Sequence, residues 1–373
     1  MAREIDNPSS LATAFDELLP EPPTLLGLGE PTHGIKEFPL LRNELLAHLA
    51  TRGYRSIALE TDFFAACIVD DYVSGAPTSL DTALAEGFSH SFGNVPGNRE
   101  LLEWLRAHNA GKAPRDRIRF YGFDAPTEFA AAPSPRRFLT TVHDYLPAAL
   151  RPTTSIDTGD DSDWSNPAAM YDATKSIGNS DLARALRVVA DDLASALRRA
   201  APDLRAKDPD AYDHARAHAR TALSLLRYHA AMATEAPDRI GNLSGLRSEM
   251  MADNMLAIIA REQHRGPTLA FAHNSHLQRT NSSAGALVAT ALGPRYVVIT
   301  TDANPHSEPG TLQHTLAEAT TRRALFRTEE LSEETRAGDP ILPGHLPLTP
   351  ADLTGADAVV FIADTDGKRH QYW

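Results

Sequence analysis

Six short apolar runs, each followed directly by an ionisable residue, constrain this chain more than any other feature of its sequence. Long stretches of helical character separate the runs. Continuous apolar strands that alternate with helices are typical of a parallel sheet buried on both faces. Ligands bind such sheets beyond the carboxyl ends of their strands, so the six terminal residues are candidates for one shared site. These residues are Glu30, Glu60, Asp124, His273, Asp302 and Asp364.

A simpler explanation of the same pattern is that a strand stops where polar residues begin. The neighbours of Glu30, Glu60, Asp124 and His273 favour a site, whereas those of the other two residues do not.

The chain from 125 to 267 contains no convincing strand and is predicted to be a helical insertion. Residues 182–197 follow the i, i+4, i+7 spacing of an amphipathic helix, which Ser180 is expected to cap. Two further helices are predicted over 209–234 and 244–262. We therefore predict an α/β fold: a central, mostly parallel sheet flanked by helices, with a helical lobe or lid inserted over the carboxyl edge of the sheet.

The length of 373 residues fits about two domains, or one large α/β domain with an insertion. The pattern assigns 1–125 to the first half of the α/β core, with the site strands. It assigns 126–243 to the helical lid lobe and 244–373 to the second half of the core.

Composition excludes several classes of protein. With 49 acidic and 36 basic residues, the net charge is −13, and the scattered basic residues do not form a nucleic-acid surface. No apolar run reaches the roughly 18 to 20 residues of a membrane span, and the first residues lack a signal-peptide pattern. We expect a cytoplasmic protein with neither a nucleic-acid nor a membrane partner. The single cysteine, Cys67, excludes an intramolecular disulfide and any multi-thiolate metal site, and its apolar surroundings predict a packed side chain.

Motif absences narrow the chemistry further. There is no G-x-S-x-G elbow for a serine nucleophile and no G-x-x-x-x-G-K-[ST] phosphate loop. Gly27, Gly29 and Gly34 do not match the dinucleotide-binding spacing. No cofactor is therefore predicted, and imidazole and carboxyl groups remain to carry the chemistry.

The densest cluster of such groups lies in LGLGEPTHGIKEFPLLRNELL. A strand ends at Glu30, a turn presents His33, and the following helix carries Arg42 in its interior. A carboxylate beside an imidazole raises its basicity and fixes its tautomer, as a general base acting on water requires. A structural histidine bonded within a loop is the alternative. A second strand adds Glu60 at its end, with Asp62 expected to cap the next helix.

The fourth strand leads into AFAHNSHLQR, where His273 and His276 lie three residues apart. Both imidazoles could donate hydrogen bonds to a developing oxyanion or protonate a leaving group. Together with the acidic residues they could equally bind a metal, and spacing alone does not decide between these roles.

Two further segments supply supporting candidates. Arg247, Met251 and Asn254 share one helical face, and a buried Arg247 would need a carboxylate from one of the strand ends. The acidic segment 152–167, with Trp164, is predicted to be a mobile loop of the lid that shapes the substrate site.

Five motifs together resemble the erythromycin esterase family, in the order of that family. They extend from about residue 24 to residue 302: GEPTHG with Arg42 in the next helix, IALETD with a later Y-V-x-G, FYGFDAP, R-x-x-x-M-A-x-N and AHNSHLQR. The resemblance implies a sheet with helical lobes around a deep cleft, and hydrolysis of a macrolide lactone by water without a metal. It also implies that His33 is the general base and that Glu30 orients it. The remaining site residues implied are Glu60, Arg42, His273 and His276. From their own positions in the sequence, and not from the resemblance, we expect Asp124, Arg247, Asn254 and Trp164 to lie around the substrate.

One departure from the family follows the paired histidines, where this chain reads TNSSAGALVATAL instead of a glycine-aromatic stretch. The pocket wall is therefore expected to differ while the chemistry is retained. The leading hypothesis is a metal-independent hydrolase that opens an ester or lactone of a bulky, macrolide-like natural product, in antibiotic resistance or in biosynthesis. The alternatives are a tailoring enzyme that performs acyl transfer, lyase or cyclisation chemistry, and a metal- or haem-binding protein without turnover.

Overall fold

The protein is described from a computed structural model that covers residues 2–128, 131–153, 156–280, 282–304, 306–331 and 335–371. The chain divides into two compact units. The first comprises Met1–Asp124 and Met251–Trp373, and the second comprises Ala125–Met250.

An eight-stranded sheet forms the centre of the first unit. Its strands are Arg3–Glu4 (β1), Leu25–Glu30 (β2), Ser56–Asp62 (β3), Arg119–Asp124 (β4), Thr268–His273 (β5), Tyr296–Asp302 (β6), Arg323–Arg327 (β7) and Ala358–Ile362 (β8). The strand order is β1-β7-β8-β6-β2-β5-β3-β4. The six strands from β8 to β4 are parallel to one another, whereas β7 pairs antiparallel with both β8 and β1. The predicted mixed α/β fold with a mostly parallel sheet is confirmed, although β1 and β7 were not predicted.

Fourteen α-helices accompany the sheet in the described residues. They are Pro8–Leu18 (α1), Glu37–Thr51 (α2), Ala66–Val73 (α3), Leu80–Glu86 (α4), Asn98–Asn109 (α5), Arg136–Tyr145 (α6), Asp161–Trp164 (α7), Asp181–Arg199 (α8), Ala201–Lys207 (α9), Pro209–Met232 (α10), Arg239–Glu262 (α11), Asn274–Leu277 (α12), Ala284–Leu292 (α13) and Leu312–Glu318 (α14). As predicted, Ser180 caps α8: its side chain accepts a hydrogen bond from the Ala183 N–H at 3.1 Å. No described helix is long and apolar enough to cross a membrane.

The central strands β2, β3 and β5 are buried at every residue, which explains their continuous apolar sequences. On one face, residues such as Leu28 and Phe271 pack against Leu41, Leu45 and other side chains of α2. Each fully buried leucine or phenylalanine contributes about 1.5–3 kcal/mol of transfer free energy. This core holds α2 against the sheet and thereby places the buried Arg42 beside the strand ends.

The end of β2 is locked to its two neighbouring strands. A Cβ atom at Gly29 would lie 2.2 Å from Asn274 Oδ1, so only glycine lets the start of α12 approach β2 this closely. The Asn274 side chain donates to the Thr301 carbonyl at 2.8 Å and accepts from the Thr301 N–H at 3.2 Å. Thr301 Oγ1 in turn donates to the Gly29 carbonyl at 2.8 Å. These hydrogen bonds fix the backbone of Gly29, directly before Glu30 and the turn that follows it.

The second unit is helical, and α10 packs against α6 and α8 in it. Trp164 belongs to its core: only 1% of the residue is exposed. Its Nε1–H donates to the Thr158 carbonyl at 2.8 Å, and its ring meets the ring of His229 edge-on at 4.9 Å. The expectation that Trp164 belongs to a mobile loop around the substrate is therefore wrong. The tryptophan instead provides apolar packing for its own unit, and residues 154 and 155 of that predicted loop lie outside the described residues.

Replacing Asn274 by alanine tests the lock at the end of β2. Asn274→Ala leaves the buried N–H and carbonyl groups of Thr301 without their side-chain partners, so we expect a loss of about 2–4 kcal/mol in the free energy of unfolding. Urea denaturation measures this loss. Glu86→Ala, at an exposed position of α4, is the control and should change stability by less than about 0.5 kcal/mol. Equal stability of the two variants would contradict the lock.

Candidate active site

Four predicted site residues lie at or near the carboxyl ends of four adjacent strands of the sheet. Glu30 on β2 is the register partner of His273 on β5. Glu60 lies near the end of β3, the next strand, and Asp124 ends β4 beyond it. The parallel register therefore brings these side chains to one edge of the sheet, as the sequence predicted.

The turn Glu30–Gly34, which we call the His33 turn, connects β2 to the segment before α2. Gly34 has φ +87°, a left-handed conformation that glycine adopts without strain. His33 Nδ1 lies 2.8 Å from Glu30 Oε1. A carboxylate only accepts, so Nδ1 carries the proton and Nε2 of a neutral ring is left as the basic atom. The His33 side chain is 24% exposed, so the ring is accessible to a substrate.

Glu60 joins three imidazole-bearing residues through its two carboxylate oxygens. Oε1 lies 3.9 Å from His33 Nε2 and 3.2 Å from His276 Nε2. Oε2 accepts the backbone N–H of His273 at 2.8 Å. Glu60 is thus held in place by the backbone of β5 while its second oxygen faces the two more accessible rings.

Both ring nitrogens of His273 are already used within the protein. Nε2 lies 3.0 Å from the Pro31 carbonyl, to which it donates. Nδ1 accepts from the Ser275 N–H at 3.2 Å and lies 2.8 Å from Ser275 Oγ. No ring proton remains for a substrate oxyanion, so His273 does not fit the oxyanion role that the sequence suggested. It holds the His33 turn through Pro31 instead.

Burial and neighbouring charges move the pKa values of the imidazoles in opposite directions. Burial alone would lower the pKa of His33, but the carboxylates of Glu60 and Glu30 outweigh burial and raise it above 6.5, although His90 opposes them. Burial lowers the pKa of His273 to about 4, with the nearby His33 adding to the effect. Burial also raises the pKa of Glu30, against the hydrogen bond from His33. His33 is therefore the stronger base of the two, whereas His273 stays neutral.

The Arg42 guanidinium is buried near the Glu30 carboxylate. Only 1% of the residue is exposed, and the guanidinium carbon lies 4.9 Å from the centre of the Phe271 ring. Burial lowers the pKa of Arg42, and the charge of Glu30 opposes this effect. Arg42 therefore acts as a buried counter-charge to Glu30. Its four hydrogen bonds are two to Asn43 Oδ1 (3.0 and 2.8 Å), one to Asn98 Oδ1 (2.9 Å) and one to the Gly97 carbonyl (3.2 Å).

A small cavity of about 20 Å³ opens between these groups. This volume is enough for about one water molecule. Glu30 Oε2 is buried at the cavity and accepts no hydrogen bond from the protein. The cavity therefore combines an available carboxylate oxygen, an imidazole and apolar walls. Its lining residues are Glu30, His33, Pro39, Arg42, Leu59, Glu60, Phe88, Phe92, Val95, Asn98, Phe271 and Ala272.

A residue that the sequence did not single out, His90, also belongs to this region. Its Nε2 lies 3.1 Å from Oδ2 of the fully buried Asp124. The rings of His90 and His33 lie 5.4 and 4.7 Å from the ring of Phe92. His90 and Ser91 are the non-glycine residues with left-handed backbone in the described chain. Their loop has no periodicity that could have revealed this placement.

Other predicted residues have structural partners. Asn254 is buried on α11, and its Nδ2 donates to the carbonyls of Phe123 and Asp124 at 3.2 and 3.3 Å, which secures the end of β4. Asp62 Oδ1 accepts from the N–H groups of Phe64 and Ala65 in the turn before α3, so it orders that turn and is not the predicted helix cap: the N-cap residue is Ala65, without a side-chain cap. Arg247 lies on α11 in the second unit, and its pairing with a strand-end carboxylate stays a prediction.

The last two strand-end acids also form structural contacts. Asp302 is buried and accepts hydrogen bonds from the side chain of Gln313 and the N–H of Leu348, while Asp364 pairs with Arg322 at the surface. Among the described residues, no group of three or more His, Cys, Asp or Glu side chains is arranged to hold a metal ion.

Comparison with known proteins shows which family the chain belongs to. The erythromycin esterase family model matches residues 49–337. The erythromycin esterase type II of Escherichia coli is 27% identical over 267 residues, which are 69% of this chain and 61% of that protein. The chain thus matches less than two thirds of the length of this relative.

Two solved structures share the fold. A mutant of the erythromycin esterase EreC in its open conformation has 16% identity and a TM-score of 0.69, with 98% of this chain and 96% of that chain covered. A Bacillus cereus protein has 17% identity and a TM-score of 0.72, with 97% and 94% covered. Because the family model matches well over half of the sequence, the chain belongs to the erythromycin esterase family.

Proposed function

We propose that this protein opens an ester or lactone of a bulky, mostly apolar natural product by general-base activation of water. The observation that carries the proposal is the geometry of His33: Glu30 holds Nδ1 at 2.8 Å, and Nε2 is left as the base beside Glu60 and the cavity. Membership of the erythromycin esterase family supports a hydrolase. A macrolide-like lactone is the substrate class that we propose.

The proton transfers of the proposed reaction balance on His33 alone. Nε2 removes one proton from a water molecule while the water oxygen bonds to the carbonyl carbon of the substrate. The tetrahedral intermediate then expels the alcohol oxygen, which takes the same proton back from Nε2. The products are a carboxylic acid and an alcohol, and the net change is the addition of one water.

Neighbouring groups support these steps in different ways. Glu30, with Arg42 as its counter-charge, stabilises the imidazolium that forms when His33 takes the proton. Glu60 faces the same ring and stabilises the positive charge from the other side. We assign the hydrogen bond to the oxyanion to Nδ1–H of His276 in the imidazolium form, because its side chain is 20% exposed and its Nε2–H faces Glu60 Oε1 at 3.2 Å.

Replacing His33 tests the general base directly. His33→Ala should lower kcat at least about a hundredfold, the scale expected for removing a positioned base. The measurement is turnover of erythromycin and a panel of bulky esters, followed by the product mass, which should gain one water. His48→Ala is the matched control, because His48 pairs with Asp16 and does not line the cavity. Near-native turnover of His33→Ala would refute the assignment, and a product without added water would favour lyase or cyclisation chemistry.

The pH profile tests the two carboxylates around His33. The base must be neutral, so activity should be lost as the pH falls through a midpoint above 6.5, because the pKa of His33 is raised. Glu60→Gln removes a charge that raises this pKa and should move the acid limb of kcat/KM to lower pH. Glu86→Gln, an exposed carboxylate of the same unit, should leave the limb in place. A Glu60→Gln profile identical to wild type would show that His33 is not the titrating base.

The proposed reaction needs no metal, since His33 supplies the base. We expect exhaustive dialysis against a chelator to leave kcat unchanged. Excess Zn²⁺ should instead inhibit turnover, because the ion would bind His33 and Glu60 and so occupy the base. Loss of turnover on chelation, with recovery on adding back one divalent ion, would replace the general-base mechanism with a metal-assisted one.

A further inference from the structure

The His33 turn is held from outside by two segments that lie far away in the sequence. The first is segment 341–348. Its residue His345 is fully buried and donates through Nε2 to Asp302 Oδ1 at 2.9 Å, while its Nδ1 accepts from the Ile341 N–H at 3.1 Å. The next residue, Leu346, donates its N–H to the Pro31 carbonyl at 3.0 Å. The end of β6 and the His33 turn are thus bridged by this segment.

The second is segment 365–371. Arg369 Nη2 donates to Thr32 Oγ1 at 2.6 Å, across 337 residues of sequence, and the N–H of His370 donates to the Gly34 carbonyl at 2.9 Å. Thr32 is buried and Arg369 is half-buried, so the accepting end of this hydrogen bond is shielded from water. Residues on both sides of His33 are therefore fixed by consecutive residues of one segment.

The guanidinium of Arg369 also rests against the first segment. A Cβ atom at Gly344 would lie 3.1 Å from Arg369 Nη2, and Gly344 has φ +82°. Because Gly344 has no side chain, the guanidinium fits between segment 341–348 and Thr32.

The path of the second segment is set by a local turn. In this turn the Gly367 N–H donates to Thr365 Oγ1, and the Lys368 N–H donates to Asp366 Oδ1.

We propose that Arg369 is a positioning residue for His33, which acts by clamping Thr32 and thereby holding the ring in the orientation that Glu30 selects. This inference rests on the proposed function of His33 and adds a distant residue to it. The hydrogen bond between His33 Nδ1 and Glu30 Oε1 spans only one turn of chain, so its geometry depends on the backbone of Pro31 and Thr32 between the two residues. A misplacement of about 1 Å at a catalytic group can reduce the rate about a hundredfold.

The imidazole tautomer of His33 measures this role without any substrate. In the wild type, the Glu30 contact should keep the neutral ring in the Nδ1–H form, and ¹⁵N NMR of labelled histidine, assigned with His33→Gln, detects it. Arg369→Met removes the hydrogen bond to Thr32 but keeps a long, unbranched side chain that fills part of the same space. We expect this variant to populate the Nε2–H form and to shift the His33 titration down toward 6.5. The charged or titratable groups that face His33 are Glu30, Glu60, His90 and His273.

Lys368→Met is the matched control, since it removes one positive charge from the adjacent, exposed residue. Loss of a positive charge by itself raises the pKa of a nearby histidine, so a downward shift in Arg369→Met cannot come from charge loss. Arg369→Lys keeps the charge but not the planar fork and should restore the wild-type tautomer only in part.

Kinetics supply the second readout. On any accepted ester, Arg369→Met should lower kcat at least about tenfold with KM changed by less than about twofold. Thr32→Val removes the same hydrogen bond from its other end, so it should reproduce the effect. The double variant should be no worse than either single variant, because both changes break one interaction. Thr32→Val alone decides the question if Arg369→Met does not fold.

The positioning role is overturned if Arg369→Met and Thr32→Val keep the tautomer, the titration and the kcat of the Lys368→Met control, even where they unfold at a lower temperature. A failure of the proposed function looks different. In that case His33→Ala retains turnover, while the tautomer measurement still reports whether Arg369 positions the ring.

Discussion

The 2.8 Å contact between Glu30 Oε1 and His33 Nδ1 joins two residues of one turn, but it depends on the whole sheet. A buried carboxylate costs several kcal/mol unless charges and hydrogen bonds compensate it. Glu30 obtains this compensation from His33 and from the enclosed Arg42, which the apolar face of α2 holds against β5. Glu30 ends the strand between β5 and β6: it pairs with His273 of β5, and the carbonyl of the preceding Gly29 accepts from Thr301 Oγ1 of β6, so the chain is fixed on both sides just where the turn begins. The strand register therefore supports the basicity of His33.

Two histidines at the same edge acquire opposite properties from their surroundings. His33 faces two carboxylates and is the stronger base, whereas His273 faces a carbonyl and a hydroxyl and is kept neutral by burial. Groups whose pKa values are pushed apart in this way divide the work at an active site. In the function that we propose, the imidazole of His33 transfers protons, while that of His273 donates to the Pro31 carbonyl and holds the backbone there. Residue type and position at a strand end did not distinguish these roles; the partners of each ring nitrogen did.

Much of the fold could be predicted because a strand buried on both faces needs a continuous apolar run, and all six such runs are strands. β7 was missed because Arg323–Arg327 begins and ends with a charged residue and lies near the sheet edge, and β1 has only two residues. Glu30 and His33 could be paired from the sequence because they are three residues apart. The bond from His273 to Pro31 crosses 242 residues, and no local pattern encodes it. Trp164 was misplaced because an acidic, proline-containing segment has the composition of a loop even where one aromatic side chain enters a core.

The same contrast applies to the GEPTHG motif itself. The motif contains His33, which we propose as the base, and Glu30, which contacts its Nδ1. The hydrogen bonds that hold the motif come from outside it: His273, Leu346 and His370 donate to its backbone carbonyls, and Arg369 donates to the Thr32 side chain. Two chains with an identical motif can therefore differ in how firmly His33 is held against Glu30. Since the rate of a general base depends on both its pKa and its orientation, such chains would differ in kcat without any change among the motif residues. Chains that share the motif but differ in activity would then differ at the residues that pack on the turn. These residues lie far from the motif in the sequence, and only the folded structure brings them to it.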